Sequence, residues 1–119
     1  MNNVSFRHIN LEYLDMMTEG DADMKKEILA EVLKELRTDI PKMLNFFKNG
    51  DLENTHQLSH RFKTTLAFVG NEMMSDANRE AELITKLGEN KEKLPDLFGI
   101  VEDLHPKVLG ELEQYYQSL

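Results

Sequence analysis

If residues 51–69 form a helix, His56, His60 and Lys63 fall within about two turns of one another, and at about 100° per residue they share one face. Three uses fit such a face: an imidazole accepting a phosphoryl group, a His-x-x-x-His pair chelating a metal, or a polar docking surface. An imidazole titrates near pH 6.5, so at neutral pH it is largely uncharged and a ring nitrogen is a nucleophile without a dedicated base. On the same helical wheel Thr55, Leu58, Phe62, Thr65, Leu66 and Val69 occupy one arc, opposite His60. His60 is therefore predicted to face solvent. Within about 60° of it lie Glu53, His56, Gln57, Lys63, Thr64 and Ala67. Thr64 and Ala67 carry small side chains, which lets another protein surface approach the ring. Phe68, about 80° away, sits at the edge of the outer face, shared between core and docking patch.

Charge marks the same stretch. From Asn54 to Asn71 there is no Asp or Glu, although 22 acids in 119 residues would place about three there. Arg61 and Lys63 are its formal charges. The sequence thus predicts a local positive island centred on His60, suited to a group that acquires a negative phosphoryl. Lys63, one turn from His60, is placed to neutralise phosphoryl oxygens, whereas Arg61 points about 100° away. His56 and Glu53 add at most an incomplete metal shell on one exposed face, so no metal site is expected. His8 and His105 have no such setting and read as incidental, and the acidic runs Glu80–Glu82 and Glu111–Glu113 read as solvated faces.

The elements that must hold these residues are helices throughout, because apolar positions recur at spacings of three and four and no segment alternates with period two. A short helix is predicted from about Asn10 to Met17, stopped by Gly20. A second runs from about Asp21 to Lys48 with Ile28, Val32, Leu36, Ile40, Leu44 and Phe47 on its inner stripe, a bend at Pro41, and Asn49-Gly50 as its stop. The third begins at Asp51, which can cap it, and ends at Val69, with Gly70 at the left-handed stop position and Asn71 opening the next. The fourth covers Glu72 to Leu87, with Met73, Ala77, Ala81, Ile84 and Leu87 inward. The fifth covers about Lys93 to Tyr116, with Leu97, Val101, Leu104, Val108, Leu112 and Tyr115 inward and a kink at Pro106. In each of the pairs Met16-Met17, Met73-Met74 and Phe46-Phe47 one residue is expected to fill the core. Short connections favour an antiparallel four-helix bundle with a short additional N-terminal helix, built from residues 1–119 as one all-α domain.

Composition removes several functions. The absence of cysteine excludes disulfides, thiolate zinc sites and cysteine nucleophiles. A net charge of −8 opposes nucleic-acid and anionic-membrane binding, and no window approaches the roughly 20 consecutive apolar residues of a membrane span. No Gly-rich phosphate loop, Ser-His-Asp order or paired-carboxylate signature is present. The chain is expected to be a cytoplasmic monomer, and its initial Met1 suggests a free-standing protein rather than an excised segment.

The segment His60-Arg61-Phe62-Lys63-Thr64-Thr65-Leu66-Ala67-Phe68-Val69-Gly70 resembles the signature of the histidine-containing phosphotransfer (HPt) domain family: the active His, a hydrophobic residue, Lys, small residues and a helix-closing Gly. The long helix, the Gly50-Asp51 turn and the His-bearing helix are similar to the family layout too. The resemblance implies that His60 is the phosphoacceptor, Phe62 the buried support, Lys63 the supporting lysine and Gly70 the stop. Thr64 departs from the pattern, where the family commonly has Gly. The resemblance further implies a multistep two-component phosphorelay. The receiver domain of a hybrid sensor histidine kinase would bring an aspartyl phosphate and Mg²⁺, and His60 would pass the group to the receiver of a response regulator. The partner surface would comprise His56, Gln57, Arg61, Thr64, Ala67 and Phe68. The chain itself would be a phosphotransfer intermediary rather than an enzyme, with no cofactor of its own. The alternatives are a helical adaptor that binds a receiver or helical partner without chemistry, and a metalloprotein using His56 and His60; the latter lacks the inward Glu-x-x-His pairs of di-iron bundles.

Overall fold

The computed structural model describes residues 6–119, so the expectation drawn from Met1 lies outside the described residues. Five α-helices follow one another: α1 (Glu12–Thr18), α2 (Ala22–Lys48), α3 (Leu52–Val69), α4 (Glu72–Leu87) and α5 (Leu94–Ser118), with one 3₁₀ turn (Lys91–Lys93) ahead of α5. No strand is found among the described residues. The fold is an all-α, antiparallel four-helix bundle, α2 to α5, with a short N-terminal helix packed on α2 and α3. In the bundle α3 packs against α2 and α4, and α5 closes the square on α2 and α4. No helix among the described residues is long and apolar enough to cross a membrane.

Local chemistry sets the helix ends where the sequence placed them. Asp21, Asp51 and Asn71 each accept a hydrogen bond from the backbone N–H three residues on, satisfying donors that the first helical turn leaves unpaired. Gly70 ends α3 at φ +76°, and a Cβ there would lie 2.1 Å from the Asn10 carbonyl oxygen. Only glycine allows this approach, in which the Asn10 N–H donates to the Val69 carbonyl at 3.0 Å. The segment before α1 is thereby tied to the end of the His60 helix. α2 and α5 run through Pro41 and Pro106 as continuous helices, with both rings on exposed faces.

The core is one cluster that includes Leu29, Leu36, Ile40, Met43, Phe62, Leu66, Met74, Phe98, Val101 and Leu112. Three inward assignments need correction. In α4 Met74 is fully buried, whereas Met73 is 63 % exposed and Leu87 58 %. The inner stripe is Met74, Ala77, Asn78, Ala81 and Ile84. Its next position in phase, a heptad after Ala81, is Gly88, so Leu87 falls to the side. In α1 both Met16 and Met17 are exposed, because Leu14 and Thr18, four apart, make the inner contact. Tyr115 is half-buried and packs edge-on against Phe6. Phe46 and Phe47 are both half-buried, and Phe47 lies on the ring of Phe98 at 4.6 Å.

Candidate functional site

The α3 phase follows the sequence. Thr55, Leu58, Phe62, Thr65, Leu66 and Val69 are all buried, and the His60 side chain is 61 % exposed. Beside it Gln57, Lys63, Thr64 and Ala67 are exposed. Phe68 is half-buried and rests on the ring of Tyr13 of α1 at 5.2 Å, a contact at the edge of the outer face. Arg61 leans the other way, toward Asp39 of α2 at 3.9 Å.

The neighbouring helix changes the electrostatics of this face. Glu82 of α4 points at α3, where Oε2 lies 2.5 Å from His60 Nδ1 and Oε1 lies 3.2 Å from Lys63 Nζ. Its side chain is only 13 % exposed, so the reading of Glu80–Glu82 as a solvated run is wrong at its last residue. The positive island is likewise answered from the flanking helices, by Glu82 on one side and Asp39 on the other. Burial pushes the Glu82 carboxyl up, but hydrogen bonds from His60 and Lys63 and their charges outweigh it and hold the group below its ordinary range. The carboxylate is therefore ionised at neutral pH and can only accept. His60 Nδ1 must then carry a proton and donate it, and in the neutral form of the ring this leaves Nε2 with its lone pair. Sequence reasoning missed Glu82. An i, i+4 search within α3 cannot find a carboxylate 22 residues away on another helix.

His56 is half-buried rather than a free surface neighbour. Its Nδ1 faces the Glu82 carbonyl at 3.1 Å and the Thr85 hydroxyl at 2.9 Å, and its ring stacks on His60 with centroids 6.3 Å apart. The two imidazoles thus sit side by side against α4, and among the described residues no group of three or more metal-ligating side chains converges. Leu83 and Lys86 of α4 complete the shallow depression around His56, His60, Lys63 and Glu82. Leu83 is 55 % exposed and gives the depression an apolar side, and Leu87, one turn further along α4, is exposed as well. The two remaining histidines are held at a distance from this site. His8 binds Glu111 through its backbone N–H and its ring, so Glu111 is not a solvated residue either, and His105 donates from Nε2 to the Leu36 carbonyl.

Beneath the site lies a pair of buried polar residues that hydrophobic patterning does not register. Ser59, next to His60, is fully buried and its hydroxyl meets Asn78 Oδ1 at 2.8 Å and the Asn78 carbonyl at 3.1 Å. Asn78 returns its Nδ2–H to the Ser59 carbonyl at 2.9 Å.

No family model matches the sequence, and comparison with curated proteins finds no match of significance. Among solved structures, the crystal structure of histidine-containing phosphotransfer protein B (HptB) from Pseudomonas aeruginosa PAO1 superposes with a TM-score of 0.79. The match covers 97 % of this chain and 99 % of that one at 19 % sequence identity. The match extends over nearly the whole of both chains, and the chain therefore has the fold of a histidine-containing phosphotransfer protein.

Proposed function

We propose that this protein is a phosphohistidine intermediary in two-component signalling, with Nε2 of His60 as the acceptor atom. The observation that carries the reading is the split between the two ring nitrogens: Nδ1 is engaged by an ionised, mostly buried Glu82, while the ring stands in solvent on a helix face of small side chains. In the proposed reaction the Nε2 lone pair attacks the phosphorus of a receiver's aspartyl phosphate in line. The N–P bond forms as the P–O bond to the aspartate breaks, and the aspartate leaves as a carboxylate. For the neutral ring no proton has to move, because Nδ1 holds its one proton against Glu82. The ring becomes cationic as it is phosphorylated, and the Glu82 carboxylate lies where that charge develops. Transfer to a second receiver is the same step reversed on a different aspartate.

Lys63 has two possible partners in this scheme, Glu82 in the resting state and a phosphoryl oxygen after transfer. Lys86, on the rim of the same depression, supplies a second cation. The receiver would bring the Mg²⁺ that neutralises its own aspartyl phosphate, consistent with most of the catalytic groups belonging to the partner. Docking would use Gln57, Thr64 and Ala67 around His60, the apolar flank of Leu83 and Leu87, and the exposed part of Phe68. His56, turned toward α4, and Arg61, turned toward α2, would contribute only at the edges.

Incubation with a phosphorylated receiver tests the reading. Wild-type protein should take up label that is acid-labile and alkali-stable, whereas His60→Gln should take up none and keep its fold, since an exposed side chain contributes little to packing. Equal labelling of the two proteins, or label on His56, would remove His60 from the role.

A further inference from the structure

We infer that Ser59 and Asn78 are positioning residues for His60, an assignment that rests on the phosphotransfer reading. Both are buried, Ser59 at 0 % exposure and Asn78 at 1 %, and each uses backbone and side chain toward the other. The backbone atoms involved are not arbitrary. In a regular helix the Ser59 carbonyl accepts from the Lys63 N–H and the Asn78 carbonyl accepts from the Glu82 N–H. The clamp therefore grips the turn 59–63 of α3, which carries His60 and Lys63, and the turn 78–82 of α4, which ends in Glu82.

Two helices packed only through apolar side chains can slide or rotate by a fraction of a turn at small cost, since methyl and methylene contacts are not directional. A reciprocal amide and hydroxyl pair in a dry interface has one satisfied geometry, and a shift leaves buried donors or acceptors unpaired. The directional constraint at 59 and 78 thus becomes a constraint on where the Glu82 carboxylate meets His60 Nδ1 and Lys63 Nζ, at 2.5 Å and 3.2 Å. The buried residues beside the clamp, Leu58, Phe62, Ala77 and Ala81, are apolar, and the other polar contact between the two helices below the site, from His56 Nδ1 to the Glu82 carbonyl and the Thr85 hydroxyl, is half-buried rather than dry. Four residues on two helices act as a unit in which the inner pair sets the register and the outer pair holds the ring.

The test reads the ring itself, without any phosphoryl donor. In ¹⁵N-correlated spectra of the imidazoles above neutral pH, wild-type His60 should be predominantly the Nδ1–H tautomer, and Glu82→Ala should lose that preference. Ser59→Ala, which removes one oxygen, and Asn78→Ala should lose it as well, with Glu82 still present. Val108→Ala, a cavity in α5 away from α3, serves as a control for loss of stability alone and should leave the His60 tautomer unchanged. Retention of the wild-type tautomer in folded Ser59→Ala and Asn78→Ala would overturn the assignment, as would an equal change in Val108→Ala. Labelling by a phosphorylated receiver is scored separately. If wild type takes no label, the phosphotransfer reading fails, while the tautomer series still decides whether the clamp positions the ring.

Discussion

Substitution of Glu82 perturbs the site more informatively than substitution of His60, because the fold, the nucleophile and Lys63 all remain. A hydrogen bond to an ionised group contributes about 1.5–3 kcal/mol, and a neutral one about 1 kcal/mol. The carboxylate is mostly buried, but the imidazole it holds is largely in solvent, which places Glu82→Ala near the lower end. About 1.5 kcal/mol corresponds to roughly a tenfold slower transfer, at about 1.4 kcal/mol per decade. Glu82→Gln keeps an acceptor for Nδ1 and loses only the charge, so a loss of about half that size, roughly three- to fourfold, is expected. Release of Lys63 works in the opposite direction by freeing an ammonium for the phosphoryl group. An exposed pair contributes only about 0–1 kcal/mol, too little to reverse the sign. Single-turnover transfer from one phosphorylated receiver at fixed ionic strength measures the series. Wild type, Glu82→Gln and Glu82→Ala should fall in that order. A rate for Glu82→Ala equal to that of wild type, or a rate for Glu82→Gln below that of Glu82→Ala, would refute the role given to the carboxylate.

Further outcomes follow from the same geometry. The Glu82 carboxyl is held below its ordinary 4.5, so its contribution to stability is fully present above that pH and is lost as pH falls through the lowered folded value. Acid unfolding curves of Glu82→Gln should therefore be flatter below pH 4.5 than those of wild type, and coincident curves would contradict the shift. Lys63→Ala should slow transfer or shorten the phosphohistidine lifetime without preventing labelling, and by more than Arg61→Ala, whose guanidinium faces Asp39; equal lifetimes for the two variants would remove Lys63 from the site. Phe62, 1 % exposed on the inner side of the His60 helix, should cost roughly 3–5 kcal/mol on substitution by Ala, read from denaturant midpoints.

Much of this molecule was legible in single-helix periodicity. On α3, spacing alone separated six of the seven buried positions from His60, all but Ser59, because a helix of 18 residues with a one-sided apolar arc admits a single phase. The caps at Asp21, Asp51 and Asn71 and the stop at Gly70 were legible for the same reason, since each satisfies its own helix end with local groups. The phase of α4 was harder to read. Its stripe contains a polar residue, Asn78, and adjacent methionines at its start, so a search for apolar residues selected Met73 and Leu87 in place of Met74.

By itself, then, the sequence determined the helices, their ends and the outward placement of His60, all consequences of interactions between residues a few positions apart. Only the tertiary structure decided which atoms meet that ring. Glu82 lies 22 residues from His60, and a carboxylate one turn along α4 or rotated by one position would miss it. That meeting depends on the relative register of α3 and α4, which no periodicity within either helix contains. Where the helices touch, the directional contacts are the buried Ser59–Asn78 pair, to which we assign the register, and the half-buried His56 against the Glu82 carbonyl and the Thr85 hydroxyl.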